Sequence, residues 1–220
     1  MKKIKVLFLI SSLLVTATLI NSCDKEDTKP IVPVVEHITG TQSTYGNVGA
    51  QVTVAAGAVE GVGEITGTVT ENVNGVSTVN LSATVTDDFI LQLVNNVGGF
   101  TVVGNNVTAP TLKIKATSEG FESIQGFDPG ILVKFDSEVG DKYNTAWGNV
   151  RTVTHKSTTN DYYWDGMNIK VLKVEEPKSS DGVTKIIYYA NHNWGIVGVE
   201  FVFETGNSLK FPVELTPSSK

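Results

Sequence analysis

The chain has 220 residues, 40% of them hydrophobic and 18% charged, with a formal net charge of −6. That apolar content can build a core and excludes wholesale disorder, and the composition is neither collagen-like nor that of a coiled coil. One Cys and three scattered His exclude a disulfide framework and any multi-cysteine metal centre, so neither a metal nor another cofactor is expected.

Residues 1–5, MKKIK, are basic, and residues 6–20 form an apolar run. Fifteen residues are too few to cross a bilayer as a helix, which takes about 20. The expectation is an export signal over residues 1–22. The run closes on Ile20-Asn21-Ser22-Cys23, which resembles the bacterial lipobox. That resemblance implies cleavage before Cys23, a diacylglyceryl group on its thiol and fatty acylation, such as palmitate, of the new amino terminus. Two or more chains make an anchor stable, at about 0.8 kcal/mol per buried methylene. Loss of Lys2, Lys3 and Lys5 would leave 14 basic and 23 acidic residues, net −9, with Arg151 the only Arg. Phosphate binding wants clustered Lys and Arg, so nucleic acid is not an expected partner. Asp24, Lys25, Glu26 and Asp27 directly follow the Cys. They resemble the surface-export signal of Bacteroidota lipoproteins, which implies display on the outer face of the outer membrane. Pro30 and Pro33 stiffen residues 23–37 into an extended tether of roughly 30–40 Å.

From Thr39 onward the pattern is that of strands. Val (31) and Thr (25) make up about a quarter of the chain. Period-2 runs lie on both sides of Asn74-Gly75, a type I′ hairpin signal. Gly61-Val62-Gly63 marks another turn or a bulge, and Gly104-Asn105-Asn106 a further turn. Residues 86–99 place Phe89, Ile90, Leu93, Val94 and Val97 on one helical face, with Thr86 as cap and Gly98-Gly99 as stop, which predicts one short helix. The Gly-rich stretch 120–130 is the candidate sub-boundary. Five more strands follow from Asn149 to Leu215, with 177–182 and 205–208 as turns. Pro212 puts the last strand at a sheet edge or a bulge. About ten or eleven strands with at most one helix predict a single antiparallel all-β domain over 38–216. It is a curved sheet, half-barrel or sandwich.

Several segments of the second half carry a further likeness. They are the apolar run Ile131–Phe135 with Val139-Gly140-Asp141 and Tyr143 after it, Tyr188-Tyr189-Ala190 separated by four residues from Gly195, and the terminal LKFPVEL. Over 130–216 these resemble a family of bacterial envelope lipoproteins. His192-Asn193-Trp194 stands where that family carries a small or Pro-containing turn. The resemblance implies a curved half-barrel and no activity.

Catalytic chemistry is not written in the motifs. No Gly-x-Ser-x-Gly elbow occurs. His37, His155 and His192 have no Ser or Asp at a spacing of known meaning. Gly61, Gly63 and Gly67 miss the dinucleotide fingerprint in spacing. Asp136, Glu138 and Asp141 lack the six positions of a calcium loop and read as solvated charges. No catalytic residue is named, and an enzyme is not expected.

The aromatics carry the most information. All three Trp and five of six Tyr lie after residue 140. Within YYW, Tyr162 and Trp164 share one strand face and Tyr163 takes the other. Trp147, Tyr162, Trp164, Tyr188 and Trp194 are the candidate ligand contacts, as stacking rings for a sugar or an aromatic group. Core and rim packing is the competing assignment for the same rings. The expectation is a lipid-anchored, non-catalytic envelope protein that binds a glycan, a lipid or a protein. The alternatives are an extracellular glycan hydrolase, with two carboxylates across a sugar, and an accessory subunit of an outer-membrane assembly.

Overall fold

The computed structural model describes residues 34–96, 100–180 and 182–218. The export signal, Cys23 and the tether up to residue 33 lie outside the described residues, as does the Gly98-Gly99 helix stop. Among the described residues no helix is long and apolar enough to span a membrane.

The fold is all-β and antiparallel, a curled half-barrel. A single 3-10 turn, Thr44–Gly46, precedes the first strand. The strands are β1 (Gln51–Val54), β2 (Val62–Val73), β3 (Val76–Val85), β4 (Thr101–Val103), β5 (Asn106–Thr108), β6 (Leu112–Thr117), β7 (Gly120–Gln125), β8 (Gly130–Lys134) and β9 (Lys142–Asn144). Then come β10 (Val150–Lys156), β11 (Tyr162–Trp164), β12 (Met167–Ile169), β13 (Leu172–Ser180), β14 (Val183–Asn191), β15 (Gly195–Phe203), β16 (Ser208–Pro212) and β17 (Glu214–Thr216). One helix, α1 (Asp88–Asn96), follows β3. The first sheet runs β17-β1-β2-β3-β6-β7-β8, with β5 and β4 added beside β3. The second runs β16-β15-β14-β13-β10-β9, and β11 and β12 pair as a two-stranded ribbon.

Local chemistry explains the elements. Asn74 and Gly75 take φ of 53° and 81°, the two positive values a type I′ turn requires, and they join β2 to β3. The helix forms where an apolar face was predicted, but its cap is Asp87 rather than Thr86. The Asp87 carboxylate accepts from the Ile90 N–H at 2.9 Å, while the Thr86 hydroxyl donates to the Gly61 carbonyl. Residues 120–125, expected to lie in a connection, are instead strand β7 with its first four residues buried. Phe121 faces the core, and Gly120 lets the β7 backbone approach β8. Pro212 closes β16, the outermost strand of its sheet, where a missing N–H costs no ladder bond. The chain then steps over Val213 onto the edge of the first sheet as β17.

Alternation sorts the second sheet into two buried faces. Ile186, Tyr188 and Ala190 pack inward with Leu172, Val174, Phe121, Ile131 and Val133. Ile187 and Tyr189 turn outward and pack with Tyr162, Trp164, Ile169 and Val197. The β11–β12 ribbon therefore supplies the cover that makes this sheet apolar on both sides. Val69, Val79, Ala50 and Leu112 form a smaller core under the first sheet.

Candidate functional site

The five aromatic candidates fall into three places rather than one platform. Tyr162 and Trp164 share the inner face of the ribbon, 8% and 5% exposed, while Tyr163 between them is 72% exposed. The ribbon turns at Asp165-Gly166, with φ of 44° and 77°. Trp164 donates its indole N–H to the Val213 carbonyl at 2.9 Å. Trp194, 39% exposed, lies against it with ring centroids 5.4 Å apart. Tyr162 packs on Tyr189 at 5.0 Å, and the Lys210 ammonium sits 4.2 and 4.3 Å from those two ring centroids. Gly198 lies beneath: a Cβ there would stand 2.8 Å from the Tyr162 hydroxyl. Tyr189 donates to Glu200 at 2.5 Å. Burial and the Glu200 charge push the Tyr162 phenol up to about 12. Burial, the Glu200 hydrogen bond and the Glu200 charge push Tyr189 up as well. These rings hold the ribbon to the sheet.

Tyr188 lies in the second place, inside the main core. Its hydroxyl donates to Glu176 at 3.0 Å, and the Arg151 guanidinium stands 5.7 Å from its ring centroid. With 2% exposure it offers no ring face to a ligand.

Trp147 occupies the third place and differs in kind. It is 63% exposed, at the tip of the loop between β9 and β10. That loop is bound to one buried carboxylate. Asp128 accepts from the Thr145 hydroxyl at 2.6 Å, the Trp147 N–H at 3.1 Å and the Asn149 amide at 2.8 Å. The Ala146 N–H donates to the Pro129 carbonyl, and Gly148, with φ of 86°, closes the turn on Thr145. The Lys178 ammonium lies 5.3 Å from the indole centroid. A large apolar ring is thus held in water by a rigid frame.

One cluster went unseen in the sequence. His155, Ser157 and Asp161 meet at the end of β10. Their wiring is that of a turn and not of an acyl-transfer site. The Ser157 hydroxyl donates to Asp161 at 2.5 Å and accepts from the Val171 N–H at 3.0 Å. His155 offers the same nitrogen, Nε2, to Ser157 at 3.3 Å and to Asp161 at 3.6 Å. A nucleophile must give its proton to the imidazole, and the acid must hold the opposite ring nitrogen. The Ser157 hydrogen bond holds the Asp161 carboxyl below the usual range.

The acidic loop is also self-contained. Asp141 accepts from the Glu138 N–H at 2.9 Å, and Glu138 pairs with Lys156 at 2.5 Å. Among the described residues no three His, Cys, Asp or Glu side chains converge as metal ligands. Two shallow open depressions of about 230 Å³ each lie on strand faces. One is lined by Thr152, Thr154, Glu175, Pro177, Thr184 and Lys185, the other by residues around Thr66 and Ser82. Small-molecule pockets run about 300–1,000 Å³ and enclose their ligand, so these grooves are poor hosts for one.

No family model, no curated protein and no solved structure matches this chain. Asp128 was absent from the candidate residues and is the group that frames Trp147. It is the Asp of the Phe-Asp-Pro-Gly segment, a turn-forming composition whose one buried carboxylate serves a loop 17 residues downstream.

Proposed function

We propose that this protein is a lipid-anchored envelope lipoprotein, displayed at the outer membrane surface, whose β domain is a non-catalytic binding module for a glycan. Cys23 after its apolar run, and the acidic tether behind it, support the anchor. The observation that carries the binding reading is Trp147, 63% exposed on a loop locked by Asp128. An indole presented this way loses little conformational entropy on binding, and preorganisation of that kind raises affinity. Its flat face suits the apolar face of a sugar ring.

Two experiments test the two halves. Radiolabelled palmitate should enter the wild type in cells and fail to enter Cys23→Ala; equal labelling would sink the anchor. Envelope and extracellular oligosaccharides should bind the purified protein in calorimetry and lose that binding in Trp147→Ala. Binding unchanged by that substitution would remove Trp147 from the site.

A further inference from the structure

Ahead of the first strand, residues 37–43 cross the end of the β6–β7 hairpin, and polar groups tie them down along their length. Ile38 is fully buried in the main core. Its N–H donates to Glu122 at 3.1 Å, and its carbonyl accepts from the Lys115 ammonium. The other Glu122 oxygen meets the His37 ring. Glu122 is itself 1% exposed. Thr39 donates both its N–H, at 2.9 Å, and its hydroxyl, at 2.8 Å, to Glu119. The Ser118 N–H donates to the Thr41 carbonyl at 2.8 Å, and the Ser43 N–H donates to the Ala116 carbonyl at 2.9 Å. Gln42 and Thr117 form an isolated bridge.

These contacts are interdependent. A buried carboxylate is tolerable only with its hydrogen bonds made. Glu122 takes its partners from the strap, so lifting the strap strands a charge inside the core. Ile38 adds a second cost, the opening of a hole beside Phe121 and Val133. A segment joined to a sheet edge would peel one ladder bond at a time. This one must give up two carboxylates and a core side chain.

We propose that residues 37–43 are a clamp through which tension on the membrane anchor enters the fold, with Glu119 and Glu122 gripping the strap and Ile38 sealing the core behind it. The clamp follows from the contacts alone; that it carries tension rests on the proposed anchor at Cys23.

Cys23 is the only Cys in the chain, so in the unlipidated full-length protein its thiol takes a handle at the anchor point. A second handle at Thr205→Cys, in the exposed turn after β15, lets the protein be stretched in optical tweezers. The first yielding step should lengthen the chain by about 25 Å, the reach of seven residues. Glu122→Gln and Glu119→Gln should move that step to lower force. Hydrogen exchange on the same variants reads the clamp without a handle. The Ile38, Thr39 and Ser43 amides should lose about tenfold or more protection while those of β13–β15 hold. A first step unmoved by both substitutions overturns the proposal. So do strap amides that exchange at the unstructured rate in the wild type. Exchange that rises equally in β13–β15 also overturns it, because Glu122 would then hold the whole core. Failure of Cys23 to take up palmitate would sink the anchor reading separately and leave these outcomes to decide the clamp.

Discussion

Arg151 Nε donates to Glu176 Oε2 at 2.8 Å, and neither side chain reaches solvent. The guanidinium spends its other donors across the core, on the Ile131 carbonyl at 2.9 Å and the Asp128 carbonyl at 2.6 Å. Arg151 and Glu176 stand on β10 and β13 of the second sheet, while Ile131 belongs to β8 of the first. The pair therefore ties the two sheets together. It also fixes the backbone of Asp128, whose carboxylate frames the Trp147 loop. No buried side-chain donor or acceptor among the described residues lacks a partner.

Breaking this pair from one side should be costly. Arg151→Met leaves the Glu176 carboxylate in the core with only the Tyr188 hydroxyl, and uncompensated buried charges cost about 3–5 kcal/mol. Arg151→Met with Glu176→Leu removes both charges and should recover much of that loss. Urea titration of the two single variants and the double variant checks this. A double variant as unstable as the sum of the singles would mean that the carbonyl contacts, not the ion pair, hold the sheets.

Trp164 and Trp147 should separate cleanly. Trp164 is 5% exposed and bonded to Val213, so Trp164→Ala opens a cavity beneath the ribbon. A loss of about 3–5 kcal/mol is expected. Trp147→Ala removes a ring that is mostly in water and should change stability by less than about 0.5 kcal/mol. Chemical denaturation of both variants reads the difference, and a Trp147→Ala as damaging as Trp164→Ala would place that ring in the packing.

Much of the fold was legible because its signals are local. Asn74-Gly75 named its turn, and the Val- and Thr-rich runs named the strands. Asp165-Gly166 has the same turn chemistry, with φ of 44° and 77°, but it joins strands of only three residues, too short to show an alternating pattern. Within YYW, parity correctly paired Tyr162 with Trp164, but burial depends on the ribbon folding back, which no local signal encodes. Tyr188 is lost to the core for the same reason: an alternating strand predicts two faces, not that both are covered. Asp128 and Glu122 act on segments 17 and 85 residues away, and single-sequence spacing carries no trace of such contacts.

Asp128→Ala should weaken binding without touching the ring that does the stacking. It removes the acceptor shared by Thr145, Trp147 and Asn149, so the loop gains freedom. Trp147→Phe in the intact frame should keep part of the affinity, whereas Asp128→Ala should lose most of it. Calorimetric titration of a bound oligosaccharide, with stability followed in parallel, tests the pair. A wild-type affinity in Asp128→Ala would show that the frame is irrelevant to recognition.

The Glu119 carboxylate that grips the strap sets an acid limit. The Thr39 N–H, the Gly40 N–H and the Thr39 hydroxyl pull its carboxyl from the ordinary 4.5 down to about 2. A carboxyl lowered by folding stabilises the native state above its unfolded value, and that contribution fades as pH falls through the folded one. Glu119→Gln should therefore narrow the stability gap to wild type between about pH 5 and pH 2. Near neutral pH the full difference should appear. At the alkaline end the sign reverses. Burial and Glu200 raise Tyr162 to about 12, so its phenol favours the fold below its ordinary 10.0 and ceases to between there and about 12. Tyr162→Phe, which cannot ionise, should resist alkaline unfolding better than wild type over that interval. Tyrosinate absorbance followed with far-ultraviolet circular dichroism measures both ends. A pH-independent gap between Glu119→Gln and wild type would mean that the Thr39 contacts do not persist in solution.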